Sequence, residues 1–190
     1  MAVRNVWSLE PGEVNVAREI RNHLKEFEVF FPIKDVGVDL IAVKNLSSPA
    51  NRKIITIQVK ESGEYYTKRD ERLGYRRGWY TLDAKKFHKY MDRVDFYIFV
   101  LYRQVSHKRR TRYKTDFIIV PTSELAKRIK HKKKGRRYHF YLSFKVGGED
   151  DRIIDTRGIT LKNQEIEEKK AFRDYSKYLN NWNLLKEWCE

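Results

Sequence analysis

The chain holds one cysteine, Cys189, two methionines, four prolines and three glutamines among its 190 residues. A lone thiol excludes an internal disulfide and any cysteine zinc cluster, and it fits a reducing compartment. No apolar run approaches the roughly 18 residues of a membrane span, and the opening residues lack the pattern of a secretory signal. A cytoplasmic protein without a membrane partner is therefore expected. His23, His88, His107, His131 and His139 show no metal spacing of the H-E-x-x-H kind, and His23 and His88 read as surface residues of helices. Neither an internal repeat nor a low-complexity linker divides the chain, so its length suits one well-packed domain with a small appendage.

What the sequence has in excess is positive charge. Lysine and arginine number 41 against 26 acidic residues, a net +15 with a pI near 9.8. Heat adaptation also enriches charge, as the scarcity of glutamine would suit, but charges added for that reason should balance. An uncompensated excess points first to a polyanionic partner.

The most informative stretch runs from Asp35 to Lys60. It reads as two strands, Val36 to Lys44 and Lys53 to Lys60, joined by the turn-forming Ser47-Ser48-Pro49-Ala50-Asn51. Alternation puts Asp39 on one face with Ile41 and Val43, and Val36, Val38, Leu40 and Ala42 on the other. On the second strand Thr56, Gln58 and Lys60 share a face, opposite Ile55, Ile57 and Val59. An antiparallel hairpin centred between Ser48 and Pro49 sets Asp39 opposite Gln58, so that a carboxylate, an amide and an ammonium meet at one spot. A structural ion pair between Asp39 and Lys60 is the plainer use of the same residues.

Ahead of the hairpin, Ser8-Leu9-Glu10-Pro11 looks like a helix start, with Pro11 where its missing N–H does no harm. Val16, Ala17, Leu24 and Phe27 lie within about 60° of Ile20 at helical period, and Glu13 falls inside this apolar stripe. Gly12 beside it permits close approach of another backbone. Alternatively, Glu13 lies at a frayed helix start and reaches water, where the helix dipole favours it.

Gly12-Glu13, then Asp35-Val36-Gly37-Val38-Asp39-Leu40-Ile41, then Ile57-Gln58-Val59-Lys60 resembles the PD-(D/E)XK nuclease superfamily. The likeness is to its Mrr-type restriction endonucleases, with their D-x-G-x-D and Q-x-K motifs, and more distantly to archaeal Holliday-junction resolvases. It covers roughly Pro11 to Tyr102. The resemblance implies an α/β fold with a restriction-endonuclease-like core, a mixed β-sheet flanked by helices. It also implies a DNA endonuclease in which Glu13, Asp39 and Gln58, with the Val59 carbonyl, hold Mg²⁺ or Mn²⁺, and Lys60 is the catalytic lysine. Val38 stands where the founding motif has proline, a change shared by the D-x-G-x-D variants. Gln58 replaces the usual acid and brings no charge, so affinity for Mg²⁺ should fall unless Glu13 compensates. That substitution keeps a noncatalytic nucleic-acid-binding module in view, and an RNA-directed enzyme is a third alternative.

The remaining elements read as a first strand at Val29-Phe30-Phe31 and a basic, aromatic loop from Glu61 to Leu82. A short helix from Asp83 to Met91 and a strand from Asp95 to Tyr102, apolar on both faces, follow. The loop carries Lys68, Arg69, Arg72, Arg76 and Arg77 among Tyr65, Tyr66, Tyr75 and Trp79, cations for phosphates with rings for bases. Its alternative places Trp79 and Tyr80 in a following strand. A basic connection with Lys108, Arg109, Arg110 and Arg112 leads to a strand from Asp116 to Val120, then a helix from Pro121 through Ile129. A second basic run, with Lys132, Lys133 and Lys134, precedes a strand from Tyr138 to Phe144. Residues 1–145 are thus expected to form the nuclease-like domain. Residues 146–190 form a C-terminal extension ending in a long helix from Asn163 to Glu190, packed on the domain or used to form a homodimer.

Overall fold

Pro11 opens the first helix, α1 (Pro11–His23), at its first turn, and Val16, Ala17 and Ile20 are buried along one stripe as the periodicity predicts. The computed structural model describes residues 9–33, 37–65, 67–107, 110–132, 135–145 and 152–190, with backbone alone over 105–107 and 110–113. Three strands follow, β1 (Phe27–Phe30), β2 (Leu40–Lys44) and β3 (Lys53–Tyr65), each antiparallel to the next. Leu40 lies opposite Ile57 and Lys44 opposite Lys53, the register that the turn at Ser48 sets. The expected alternation fails only before Leu40. Gly37 has φ +80°, and a Cβ there would come 2.6 Å from the Tyr90 ring, so the chain bends ahead of β2. Val38 consequently packs with the layer opposite the one that takes Leu40 and Ala42. Val36 lies outside the described residues.

The stretch expected to be a basic loop is instead regular. β3 continues to Tyr65, α2 (Lys68–Leu73) follows, and β4 (Tyr75–Asp83) returns. Thr67 and Asp70 close a reciprocal cap at the start of α2, and Gly74 ends it in the left-handed region at φ +71°. After α3 (Ala84–Tyr90), β5 (Phe96–His107) runs parallel to β3 and antiparallel to β6 (Arg110–Pro121). The basic connection around Arg103 to Lys114 is therefore ladder, with Arg103 opposite Lys114.

The result is a mixed α/β fold. One sheet has the order β1-β2-β3-β5-β6, and the far end of β3 passes into a second, antiparallel sheet with β4, β7 (Arg137–Lys145) and β8 (Ile154–Asp155). On one face of the first sheet, Ile55, Ile57, Val59, Ile98 and Val100 pack against α1. On the other, Tyr97, Phe99, Leu101 and Ile118 pack against Tyr80, Leu82, Phe140 and Leu142 of the second sheet and against α4 (Thr122–Ile129). β5 is apolar on both faces because both are covered.

The long C-terminal helix is not formed. Residues 164–187 hold α5 (Gln164–Glu168), two 3₁₀ turns and α6 (Asn183–Glu187). Pairing with the sheet outcompetes the helix: Asn180, at φ +50°, donates its backbone N–H to the Phe117 carbonyl at 2.6 Å and accepts the Phe117 N–H on its side-chain Oδ1 at 2.8 Å. Leu179 bridges Ile118, and Tyr175 N–H donates to Ile153. The segment still packs back onto the domain, placing Trp182 and Leu185 against the α1 layer.

Candidate functional site

β2 begins late, at Leu40, so the Val59 N–H has no strand partner on that side. The Asp39 carboxylate takes its place, accepting the Val59 N–H at 2.8 Å, while the Asp39 N–H donates to Ile57 at 2.8 Å. The same carboxylate oxygen accepts a close hydrogen bond from the Gln58 amide, whose nitrogen also lies 3.4 Å from the Val59 carbonyl. The hairpin thus brings together Asp39, Gln58 and Val59. Lys60 is half-buried on the Gln58 side of the strand and makes no hydrogen bond or ion pair with any described residue, so the plainer Asp39–Lys60 ion pair is not what forms. Nearby, burial and, secondarily, the Asp39 carboxylate hold the Tyr97 phenol well above its ordinary pKa.

Glu13 approaches from the other side. It sits on α1, the helix that covers the Ile57 and Val59 face, and is only 3 % exposed, so the solvent-reaching alternative does not hold.

Glu61 is a residue that the sequence reading passed over. Its Oε2 accepts the Gly12 N–H at 2.6 Å and the Tyr102 hydroxyl at 3.0 Å, and Asn15 donates to that hydroxyl at 3.2 Å. A Cβ on Gly12 would meet this oxygen at 2.7 Å, so the close approach foreseen at Gly12 is made by a side chain rather than a backbone. The available signal was alternation: Glu61 follows Lys60 and so shares the Val59 face, toward the N-terminus of α1, where a carboxylate is favoured.

These donors suit a hard cation under one condition. The Asp39 carboxylate and Val59 carbonyl offer oxygens, but Gln58 presents its NH₂ to the carboxylate; turning the amide by half a rotation supplies the third oxygen. Mg²⁺ keeps several waters and needs only one or two carboxylates, so this set is sufficient though sparsely charged. Among the described residues no group of three or more His, Cys, Asp or Glu side chains is arranged around a metal position.

The basic residues divide into two kinds. Lys68, Arg69 and Arg72 are exposed on α2 and, with Leu73 and Lys162, line a cavity of about 480 Å³; Arg69 also donates to the Ile159 carbonyl. Arg76 is half-buried and pairs with Glu64 at 2.8 Å. Tyr75 is buried and Arg77 is 7 % exposed, paired with Asp70 at 2.8 Å and lying 4.1 Å over the Tyr141 ring. Arg77 thus ties α2 to the second sheet, and Tyr75 is buried beside Glu168, which corrects their expected role in holding nucleic acid. Lys132 is corrected likewise: it forms a close ion pair with Asp155, donates to the His139 carbonyl at 2.9 Å and lies 4.0 Å over Phe140. Lys108, Arg109, Lys133 and Lys134 lie outside the described residues, as do the side chains of Arg110 and Arg112. Trp79 is 46 % exposed beside Tyr65, His139 and Tyr141, whereas Tyr80 is core and donates to the Val100 carbonyl at 3.0 Å.

Compared with known proteins, the chain matches no family model, no curated protein and no solved structure. No helix among the described residues is long and apolar enough to cross a membrane.

Proposed function

We propose that this chain is a metal-dependent DNA endonuclease with a restriction-endonuclease-like core. The observation that carries the reading is the meeting of Asp39, Gln58 and the Val59 backbone at the end of a β-hairpin, with Lys60 uncommitted two residues beyond Gln58. The strand order supports it: three antiparallel strands follow a helix, and a parallel strand lies against the third. Asp39, the Val59 carbonyl and the rotated Gln58 amide would hold Mg²⁺ or Mn²⁺, with Glu13 brought in from the α1 side. Bound there, such an ion lowers the pKa of a coordinated water and offsets charge on the phosphate oxygens. Lys60 orients the attacking water or stabilises the developing negative charge with its ammonium. Lys68, Arg69 and Arg72 contact backbone phosphates and make binding salt-dependent.

A second reading, a noncatalytic nucleic-acid-binding module, draws on the same corner. Gln58 satisfies Asp39 directly, with no cation required. Incubation of plasmid and branched DNA with Mn²⁺, beside RNA of matched sequence, separates the readings. The nuclease cuts DNA, and Asp39→Ala and Lys60→Ala each slow it by about 10²-fold or more. Salt-sensitive binding without cutting supports the module, and cutting that survives both substitutions contradicts the assignment of the site.

A further inference from the structure

A separate cavity of about 250 Å³ lies between the end of α4, the β7–β8 pair and the C-terminal turns. Its wall carries Arg128, Lys132, Arg157 and Arg173 against a single carboxylate, Asp155. Two of these cations are compensated: Lys132 by Asp155, and Arg173 by Glu167 at 2.7 Å. Arg128 and Arg157 form no ion pair with any described residue. The cavity therefore holds about two positive charges in excess.

Burial makes that excess costly. Arg128 is only 8 % exposed; its guanidinium lies 4.4 Å over the Tyr175 ring and donates through Nη1 to the Phe172 carbonyl at 2.8 Å and, weakly, to Ala171 at 3.4 Å. Its Nε, and the hydroxyl of the fully buried Tyr175, have no hydrogen-bond partner among the described residues. Buried donors of this kind cost free energy unless a partner arrives. The local field is positive: His139 is held below its ordinary pKa by burial and then by Arg157, Arg137 and Lys132, and burial lowers Lys132 as well.

We propose that this cavity binds the dianion of a phosphate monoester. Such a group carries about −1.5 to −2 charge at neutral pH, which matches the excess, and its oxygens accept from guanidinium groups. Arg128 and Arg157 supply the charge and their guanidinium N–H groups the donors. The volume falls just below the roughly 300–1,000 Å³ of drug-sized ligand pockets, so the ligand is small or only its phosphate enters. His131, stacked on Phe172 at 4.3 Å, lines the same cavity and offers a flat surface to whatever the phosphate is attached to. This assignment is independent of the nuclease reading.

The test uses the whole chain. Inorganic phosphate, then adenosine 5′-monophosphate, is titrated calorimetrically against potassium chloride at matched ionic strength, with Tm followed in parallel. Saturable binding and a raised Tm are expected. Arg157→Gln weakens binding about tenfold. Lys186→Gln, on the α1 side of the molecule, leaves it unchanged. Competition by a 5′-phosphorylated oligonucleotide but not its 5′-hydroxyl twin identifies a strand end as the source; competition by the mononucleotide alone identifies a free nucleotide. The proposal is overturned if phosphate has no effect beyond ionic strength, or if Arg157→Gln binds as the wild type does.

Discussion

Two polar clusters in this molecule are each built around a carboxylate, but on different partners. At the end of the β2–β3 hairpin, the Asp39 carboxylate accepts from the Gln58 amide and the Val59 N–H. In the cavity beside α4, four cations surround one carboxylate. The first is held by amide and backbone hydrogen bonds; the second carries an excess of positive charge that leaves room for added negative charge. A net charge of +15 therefore says less about function than where its uncompensated part is buried.

The sharpest way to break this contrast is to remove each carboxylate. Asp155→Ala leaves Lys132, whose side chain is 12 % exposed, without its partner, and should cost about 3–5 kcal/mol in urea unfolding. Asp39→Ala strips a partner from the Val59 N–H at a half-buried position and should cost about 1–3 kcal/mol. Equal losses would mean that Asp39 is as deeply structural as Asp155.

A smaller effect appears in alkali. Tyr97 beside Asp39 and Tyr175 beside Asp155 are both raised, in each case mainly by burial and next by the neighbouring carboxylate. A group whose folded pKa is raised contributes stability in full below its unfolded value, about pH 10 for tyrosine, and loses it as pH climbs past that point. Tm should fall above pH 10, with these phenols silent in a tyrosinate absorbance titration until unfolding. Asp39→Asn should bring Tyr97 down and leave Tyr175 where it is. Complete tyrosine ionisation near pH 10 with Tm unchanged would contradict both placements.

Local pattern carried much of the fold into view. Five turn residues fixed the hairpin register, and the stripe through Ile20 put Glu13 inside the protein, because period and turn chemistry are properties of neighbouring residues. What stayed hidden depends on distant partners. Arg77 and Tyr75 have the composition of a nucleic-acid loop, yet Asp70 and the Tyr141 ring make Arg77 structural and burial does the same for Tyr75. The helical spacing of Tyr175, Leu179 and Trp182 is genuine, but Asn180 and Leu179 pair with β6 instead of continuing a helix. Asp39, Gln58 and Lys60 were legible as a constellation. That the amide would face the carboxylate, and that Glu61 would anchor α1, required the packed structure.

The claim on which the account turns is that the Asp39 corner takes a divalent cation, and Mn²⁺ titration calorimetry reads it directly. Wild type should bind Mn²⁺ weakly, Gln58→Glu about tenfold or more tightly because a charge-bearing oxygen replaces a neutral one, and Asp39→Ala not at all. Binding that persists in Asp39→Ala, or none even in Gln58→Glu, would contradict it.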